Sequence, residues 1–270
     1  MTHTLLPLSL GKLLDETFNI YRRNFLLFIG ISAVPNLVLL LLQLVVTLPA
    51  AGDQKLETFV TGLGIVGTLV ASMFAGAIVT AATTFGVSDV YLDRPTSMVA
   101  CFARVWAKAL RVLYVSFVVG LIVGFGAMLC IVPGIYWAGV YGIAVPAVVL
   151  ENITGNESLK RSSSLTSDSV GRVIVVYFLT TIFAAGMSFA LDAGVTALSS
   201  KVFHVAATFA PQALSQISTA VGEILFGPVS ASALTLVYYD QRVRKEAFDI
   251  QHMMALMSAP NNMDAGNTAL

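Results

Sequence analysis

The stretch VLYVSFVVGLIVGFGAMLCIVPGIYWAGVYGIAVPAVVL, residues 112–150, runs for thirty-nine residues without a charge. At about 1.5 Å per residue one helix of that length would reach roughly 58 Å, almost twice a hydrocarbon core of about 30 Å. The chain must therefore turn back inside it. Pro133-Gly134 offers the place, a fixed φ followed by a permissive residue. A hairpin of two spans is expected, Val112 to Val132 and Ile135 to Leu150, the second only sixteen residues long with Pro146 inside it.

Working outward, further apolar runs cover Phe25 to Leu48, Phe59 to about Tyr91, Val173 to Leu191 and Leu214 to Tyr239, which makes six crossings. Composition agrees: 57% hydrophobic, 11% charged and a mean hydropathy of +0.83, where charged residues in soluble domains approach about a quarter. The first run follows Arg22 and Arg23 but is too long for the roughly 7–15 apolar residues of a signal peptide, so it reads as a retained span. An all-α polytopic membrane protein is the fold class these runs define.

Fifteen basic residues balance fifteen acidic ones, and no nucleic-acid partner is expected. Sorted by loop, thirteen Lys and Arg fall on one side of the six spans and two, Lys55 and Lys201, on the other. The positive-inside rule then puts both termini and the longer loops in the cytoplasm. On that topology the sequons at Asn152 and Asn156 face the wrong side for glycosylation.

The segments on the basic side share a layout. Ser9, Ser97 and Ser158 each stand fourteen residues before an arginine, Arg23, Arg111 and Arg172, and each arginine opens an apolar span. The returning spans close alike, at Val90-Tyr91-Leu92-Asp93, Val148-Val149-Leu150-Glu151 and Val237-Tyr238-Tyr239-Asp240. Three hairpin repeats follow, over about 9–94, 97–152 and 158–241, each preceded by an interfacial amphipathic helix. In the first, Leu10, Leu13, Leu14, Phe18 and Tyr21 recur at helical spacing. In the second, Met98, Cys101, Phe102 and Val105 oppose Arg104, Lys108 and Arg111. The third is serine-rich and is expected to be the least anchored.

The cations on these faces, Arg22, Arg23, Arg104, Lys108, Arg111, Lys160, Arg161 and Arg172, are candidate contacts for anionic phospholipid headgroups or an envelope protein partner. The plainer reading is that they anchor the helices by the positive-inside rule. Beyond the last span, Asp240, Arg242, Arg244 and Glu246 fall at helical spacing, and this tail is expected to dock on the surface helices and close a three-unit ring. Residues 251–270 are expected to be a disordered cytoplasmic tail.

One carboxylate, Glu223, lies within a span, sixteen residues or about 24 Å before Tyr239. An ionisable residue there suggests proton coupling, cation coordination or a polar lining. The alternative is a protonated, packed side chain or one reached by water from the outer side. Asp89 and Asp192 read as interfacial. The two cysteines, Cys101 and Cys130, are expected to be free thiols on opposite sides. Three histidines and two cysteines assemble no metal motif, and Gly-x-Ser-x-Gly and Walker patterns are missing, so neither cofactor, metal nor catalysis is expected.

Taken in order, Ser9-Leu10-Gly11-Lys12-Leu13-Leu14-Asp15, Tyr21-Arg22-Arg23-Asn24-Phe25, Ile131-Val132-Pro133-Gly134-Ile135-Tyr136, Ala144-Val145-Pro146, Ser158-Leu159-Lys160-Arg161-Ser162 and Tyr238-Tyr239-Asp240-Gln241-Arg242 make a pattern. It resembles the bacterial family called the glycerophosphoryl diester phosphodiesterase membrane domain, over about residues 8–250. The resemblance implies a bacterial inner-membrane protein. In some relatives this domain precedes a soluble phosphodiesterase barrel, and many are stand-alone. Only about 30 residues follow the last span here, against about 250 for a barrel, so a stand-alone membrane module is expected. Its expected business is binding lipid or partnering envelope proteins, with a small-solute transporter or channel using Glu223 as the alternative. Ser163, Ser164, Ser167 and Ser169 stand where the family usually has aromatic and basic residues.

Overall fold

The computed structural model describes residues 8–46, 54–202 and 209–246. These form nine helices: α1 (Leu10–Arg23), α2 (Phe25–Val46), α3 (Gln54–Tyr91), α4 (Met98–Leu129), α5 (Ile131–Tyr141), α6 (Ala144–Glu151), α7 (Gly155–Thr166), α8 (Val170–Val202) and α9 (Phe209–Glu246). No strand occurs among the described residues. Six segments are long and apolar enough to cross a membrane, α5 and α6 together making one of them. The protein is an all-α polytopic membrane protein. The expected tail, 251–270, lies outside the described residues.

Three boundaries differ from the expectations, each for a local reason. Pro133 and Gly134 do not form the turn of the central hairpin. Cys130, extended at φ −168° and ψ 148°, is the single non-helical residue between α4 and α5. Pro133 sits in the first turn of α5, where a missing N–H costs nothing. Gly134 allows the two arms to touch, since a Cβ there would lie 2.8 Å from the Ala127 amide nitrogen.

The second surface helix is not a separate element. Nothing between Arg111 and Val112 breaks a helix, and α4 runs unbroken from its Ser97 cap into the span. The third surface helix starts four residues earlier than expected: Thr154, not Ser158, is its N-cap, in a capping box with Glu157. Nor is α7 loosely anchored. Gly155, Ser158, Ser162, Leu165 and Thr166 are buried, and the small hydroxyl side chains let α7 approach α5 closely. Ser162 Oγ donates to the Val140 carbonyl at 2.7 Å and Thr166 Oγ1 to the same oxygen at 3.2 Å. That carbonyl closes α5, just before the chain breaks at Gly142-Ile143.

The first surface helix buries Leu13, Thr17, Ile20 and Tyr21 rather than the whole expected apolar row, and Leu10 and Phe18 stay exposed. The reason is its partner, since α1 packs mainly on α9 and so turns one flank into protein and the other outward.

Burial is concentrated in one half of the bundle. In α3, residues 81–89 are all buried, whereas none from 62 to 74 is. In α8 no residue from 181 to 198 is buried, and in α9 every residue from 231 to 241 is. The packed half rests on small side chains, Ala77, Ala81, Ala82, Ala144, Ala147 and Ala233, that bring helices close enough for dispersion to hold them where lipid offers no hydrophobic gain. This half carries the arginines and lysines and is the charged end. The other is the far end.

Candidate functional site

At the charged end each returning helix finishes in an acid that holds the following unit. Asp89 of α3 takes both terminal nitrogens of Arg104 on α4, the Nη1 bond being 3.2 Å long. Arg104 also lies 4.5 Å over the Phe85 ring. Asp89 is therefore buried and paired rather than interfacial. Glu151 of α6 accepts from Arg161 of α7 at 2.8 and 2.9 Å and from the Tyr238 hydroxyl at 2.7 Å. Asp240 of α9 accepts from the Leu8 amide at 2.8 Å, just ahead of α1. The holds run from α3 to α4, from α6 to α7 and from α9 to the residue ahead of α1.

The candidate lipid cations divide on this geometry. Lys108 Nζ donates to the Val149 carbonyl at 2.7 Å and Arg111 to Asn152 Oδ1 at 3.1 Å. Arg161 also pairs with Glu246, and the two acids raise its already high pKa. Arg172 is bound to Asp240 at 3.1 Å and to the Leu8 carbonyl. Arg22, Arg23 and Lys160 are exposed, with neither a hydrogen bond nor an ion pair among the described residues. The four residues named for tail docking lie on α9 itself. Besides Asp240, Arg244 donates to the Leu8 carbonyl at 2.7 Å, Arg242 approaches Glu151 at 3.8 Å, and Glu246 meets Arg161.

Two carboxyls outside the spans are tuned by this frame. Glu157 is held below its ordinary value by the Thr154 backbone N–H and hydroxyl of the capping box. Asp168 is held below its own by Lys245, 2.8 Å away. Cys101 and Cys130 are both free; Cys101 is fully buried beneath Thr96, out of reach of an acylating enzyme.

Above the packed layer lies a partly open cavity of about 510 Å³ lined by α3, α4, α5, α6, α8 and α9. Glu223 lines it, seventeen residues or roughly 25 Å along α9 from Asp240. Its residue is exposed to that space, and its carboxylate has no hydrogen bond or ion pair among the described residues. Gly227, one turn on, makes room for the carboxylate, because a Cβ there would sit 3.3 Å from Glu223 Oε2. Ser32 Oγ of α2 donates to the Glu223 carbonyl at 3.2 Å and fixes the helix at this level.

The glycines of spans two to four were legible as close-packing positions and as the lining of the transport alternative, but the hydroxyl residues of the lining were not singled out in the sequence. The lining is a set of stripes at helical spacing: Ser72, Gly76 and Thr80 on α3; Ser116 and Gly120 on α4; Tyr177, Thr181 and Ser188 on α8; Glu223, Gly227 and Ser230 on α9. Each puts small or hydroxylated residues on one face of an otherwise apolar helix, and that periodicity is the signal by which they are recognisable. Among the described residues the buried Thr181 hydroxyl has no partner, and the lining includes no Lys, Arg, His or Cys.

A second hollow, about 450 Å³, opens on the flank of α2, α3 and α4. Its walls are apolar: Val34, Pro35, Leu39, Phe74, Ile78, Phe102 and Trp106 among them.

Fold and site together define a six-span membrane protein with an acid-bearing, partly open cavity above a packed, charged end. Comparison with protein-family models, curated proteins and solved structures gives no match to this chain.

Proposed function

We propose that this chain is a non-catalytic bacterial inner-membrane protein that takes a small solute into the Glu223 cavity and passes it across the bilayer. The observation that carries the reading is Glu223 itself, a carboxylate at membrane depth, without a protein partner, facing a cavity of about 510 Å³. Such a group is costly in hydrocarbon and is kept where it lines a path for water, ions or substrate. The hydroxyl stripes supply the few convergent polar groups that binding sites of roughly 300–1,000 Å³ use to orient ligands. The floor toward the charged end is packed while the far half is sparsely packed, an arrangement that fits one state of an alternating-access cycle. Pro228 removes a backbone hydrogen bond from α9 where the packed and open halves meet, a natural point for rocking. The thirteen-to-two distribution of cations supports a cytoplasmic charged end, and the resemblance read in the sequence supports an inner-membrane location. One carboxylate and scattered hydroxyls suit binding better than acid–base or nucleophilic chemistry.

A second reading, binding of an anionic phospholipid, is favoured by the apolar flank groove together with the exposed, unpaired Arg22, Arg23 and Lys160. Five of the eight candidate cations already have partners within the fold, which weakens it.

Osmotic relaxation of proteoliposomes separates the two. Light scattering would follow the entry of glycerol, urea and methylammonium through wild type and through Gly76→Phe. Gly76 lines the cavity and a Cβ there meets nothing within 4 Å, so the phenyl ring fills the space and leaves Glu223 in place. Faster entry of at least one solute through wild type, abolished by Gly76→Phe, is expected. Rates equal to protein-free liposomes for every solute would overturn the transport reading.

A further inference from the structure

We propose that the solute of this cavity is an organic cation, a single positive charge on a bulky apolar body, with Glu223 as its counter-charge. The inference rests on the transport reading and names its substrate class.

The charge argument comes first. Among the described residues Glu223 is the one carboxylate of the lining, and no Lys, Arg or His of the lining neutralises it. At membrane depth a bare carboxylate must be neutralised by a proton or by a cation from outside the protein. An anionic ligand would add a like charge in a site walled by low-dielectric helices, where potentials are focused rather than screened.

Size and lining then choose among cations. A cavity of about 510 Å³ is far larger than a proton or a bare metal ion requires. Hard divalent cations also take about six to eight oxygen ligands, several of them carboxylates, and Glu223 stands alone. Met73, Val119, Val123 and Val145 give an apolar wall that would face a hydrocarbon body. Tyr141 and Tyr177 add aromatic faces of the kind that attract ammonium and quaternary cations.

Gly227 fits the same assignment. Its missing side chain leaves the Glu223 carboxylate lying open over the helix. Ser32 meanwhile takes the Glu223 backbone carbonyl and not the side chain, so the carboxylate stays available.

Tetraphenylphosphonium and tetraphenylborate test this directly, because they share a shape and differ in the sign of the charge. Equilibrium dialysis of the detergent-solubilised full chain would measure saturable binding of both, and of benzyltrimethylammonium, to wild type, Glu223→Gln and Gly76→Phe. Wild type is expected to bind at least one of the cations saturably and the borate not at all. Glu223→Gln should weaken that cation about tenfold or more, the scale for removing one partner of a desolvated charge pair. Gly76→Phe, which retains Glu223, should abolish saturable binding, and it keeps the test open if Glu223→Gln fails to fold. Absence of saturable binding of both cations to wild type would overturn the assignment, as would equal affinity in Glu223→Gln or equal binding of the borate. If glycerol or urea enters proteoliposomes while neither cation binds, the cation assignment falls and the transport reading stands.

Discussion

The Leu8 amide donates to Asp240 Oδ1 at 2.8 Å, joining residues 232 positions apart and bringing the start of the first helix against the end of the last. Arg172 and Arg244 share the other oxygen of the same carboxylate and both reach the Leu8 carbonyl, so one fully buried side chain holds a backbone unit and two guanidinium groups. Replacing one partner of a buried ion pair strands the others. Asp240→Ala should cost about 3–5 kcal/mol of stability. Asp240→Asn, which keeps an oxygen for the Leu8 amide, should cost less. Unfolding of both variants in detergent, followed by circular dichroism, gives the order; equal stability of Asp240→Ala and wild type would refute the clamp.

Arg104 offers a second check on the ring, because it was a candidate headgroup contact and is engaged by Asp89. Its side chain is 39% exposed while that of Asp89 is 7% exposed, so most of the desolvation falls on the acid. A double-mutant cycle with Arg104→Ala and Asp89→Asn should show a coupling of about 0.5–3 kcal/mol. Native mass spectrometry of Arg104→Ala should show the same retained phospholipid as wild type. Additive stabilities together with lost lipid would return Arg104 to the membrane surface.

The span count was legible because it depends on one thing, the length of charge-free runs, and lipid imposes that length whatever the packing. Helix boundaries were less so. The change from Arg111 to Val112 alters what a helix faces without interrupting its hydrogen bonds, so polarity alone marked a boundary that α4 does not have. Pro133 was read as a turn, yet a first helical turn tolerates proline equally well. The serines of α7 looked like weak anchoring because their value lies in a partner, the Val140 carbonyl, that no local pattern reveals. Glu223 stood out by charge. Ser72, Thr80, Thr181 and Ser230 did not, since a hydroxyl in a span is ordinary until four helices are seen to turn theirs to one space.

Asp168 gives the charged end a pH signature. Lys245 lowers its pKa below the ordinary 3.8, and a depressed acid stabilises the fold above its ordinary value and loses that contribution as pH falls through the depressed one. The difference in melting temperature between wild type and Asp168→Asn should therefore be constant from neutral pH down to about pH 5, shrink as pH falls below the ordinary value, and vanish only below the depressed one. A difference unchanged at pH 3 would show that Lys245 does not act on this carboxylate.

The central claim is a cavity sealed toward the charged end and reached from the other, and thiol modification from each face of a vesicle measures it most directly. Cys130 is exposed and must first be made serine, whereas Cys101 is buried and stays. Single cysteines at Ser230, in the cavity, and Thr235, fully buried in the floor about one and a half turns below, would meet a membrane-impermeant trimethylammonium methanethiosulfonate in oriented proteoliposomes. Ser230→Cys is expected to react from the face opposite the charged end and Thr235→Cys from neither. A Ser230→Cys that reacts only from the charged face, or from no face, would contradict the account.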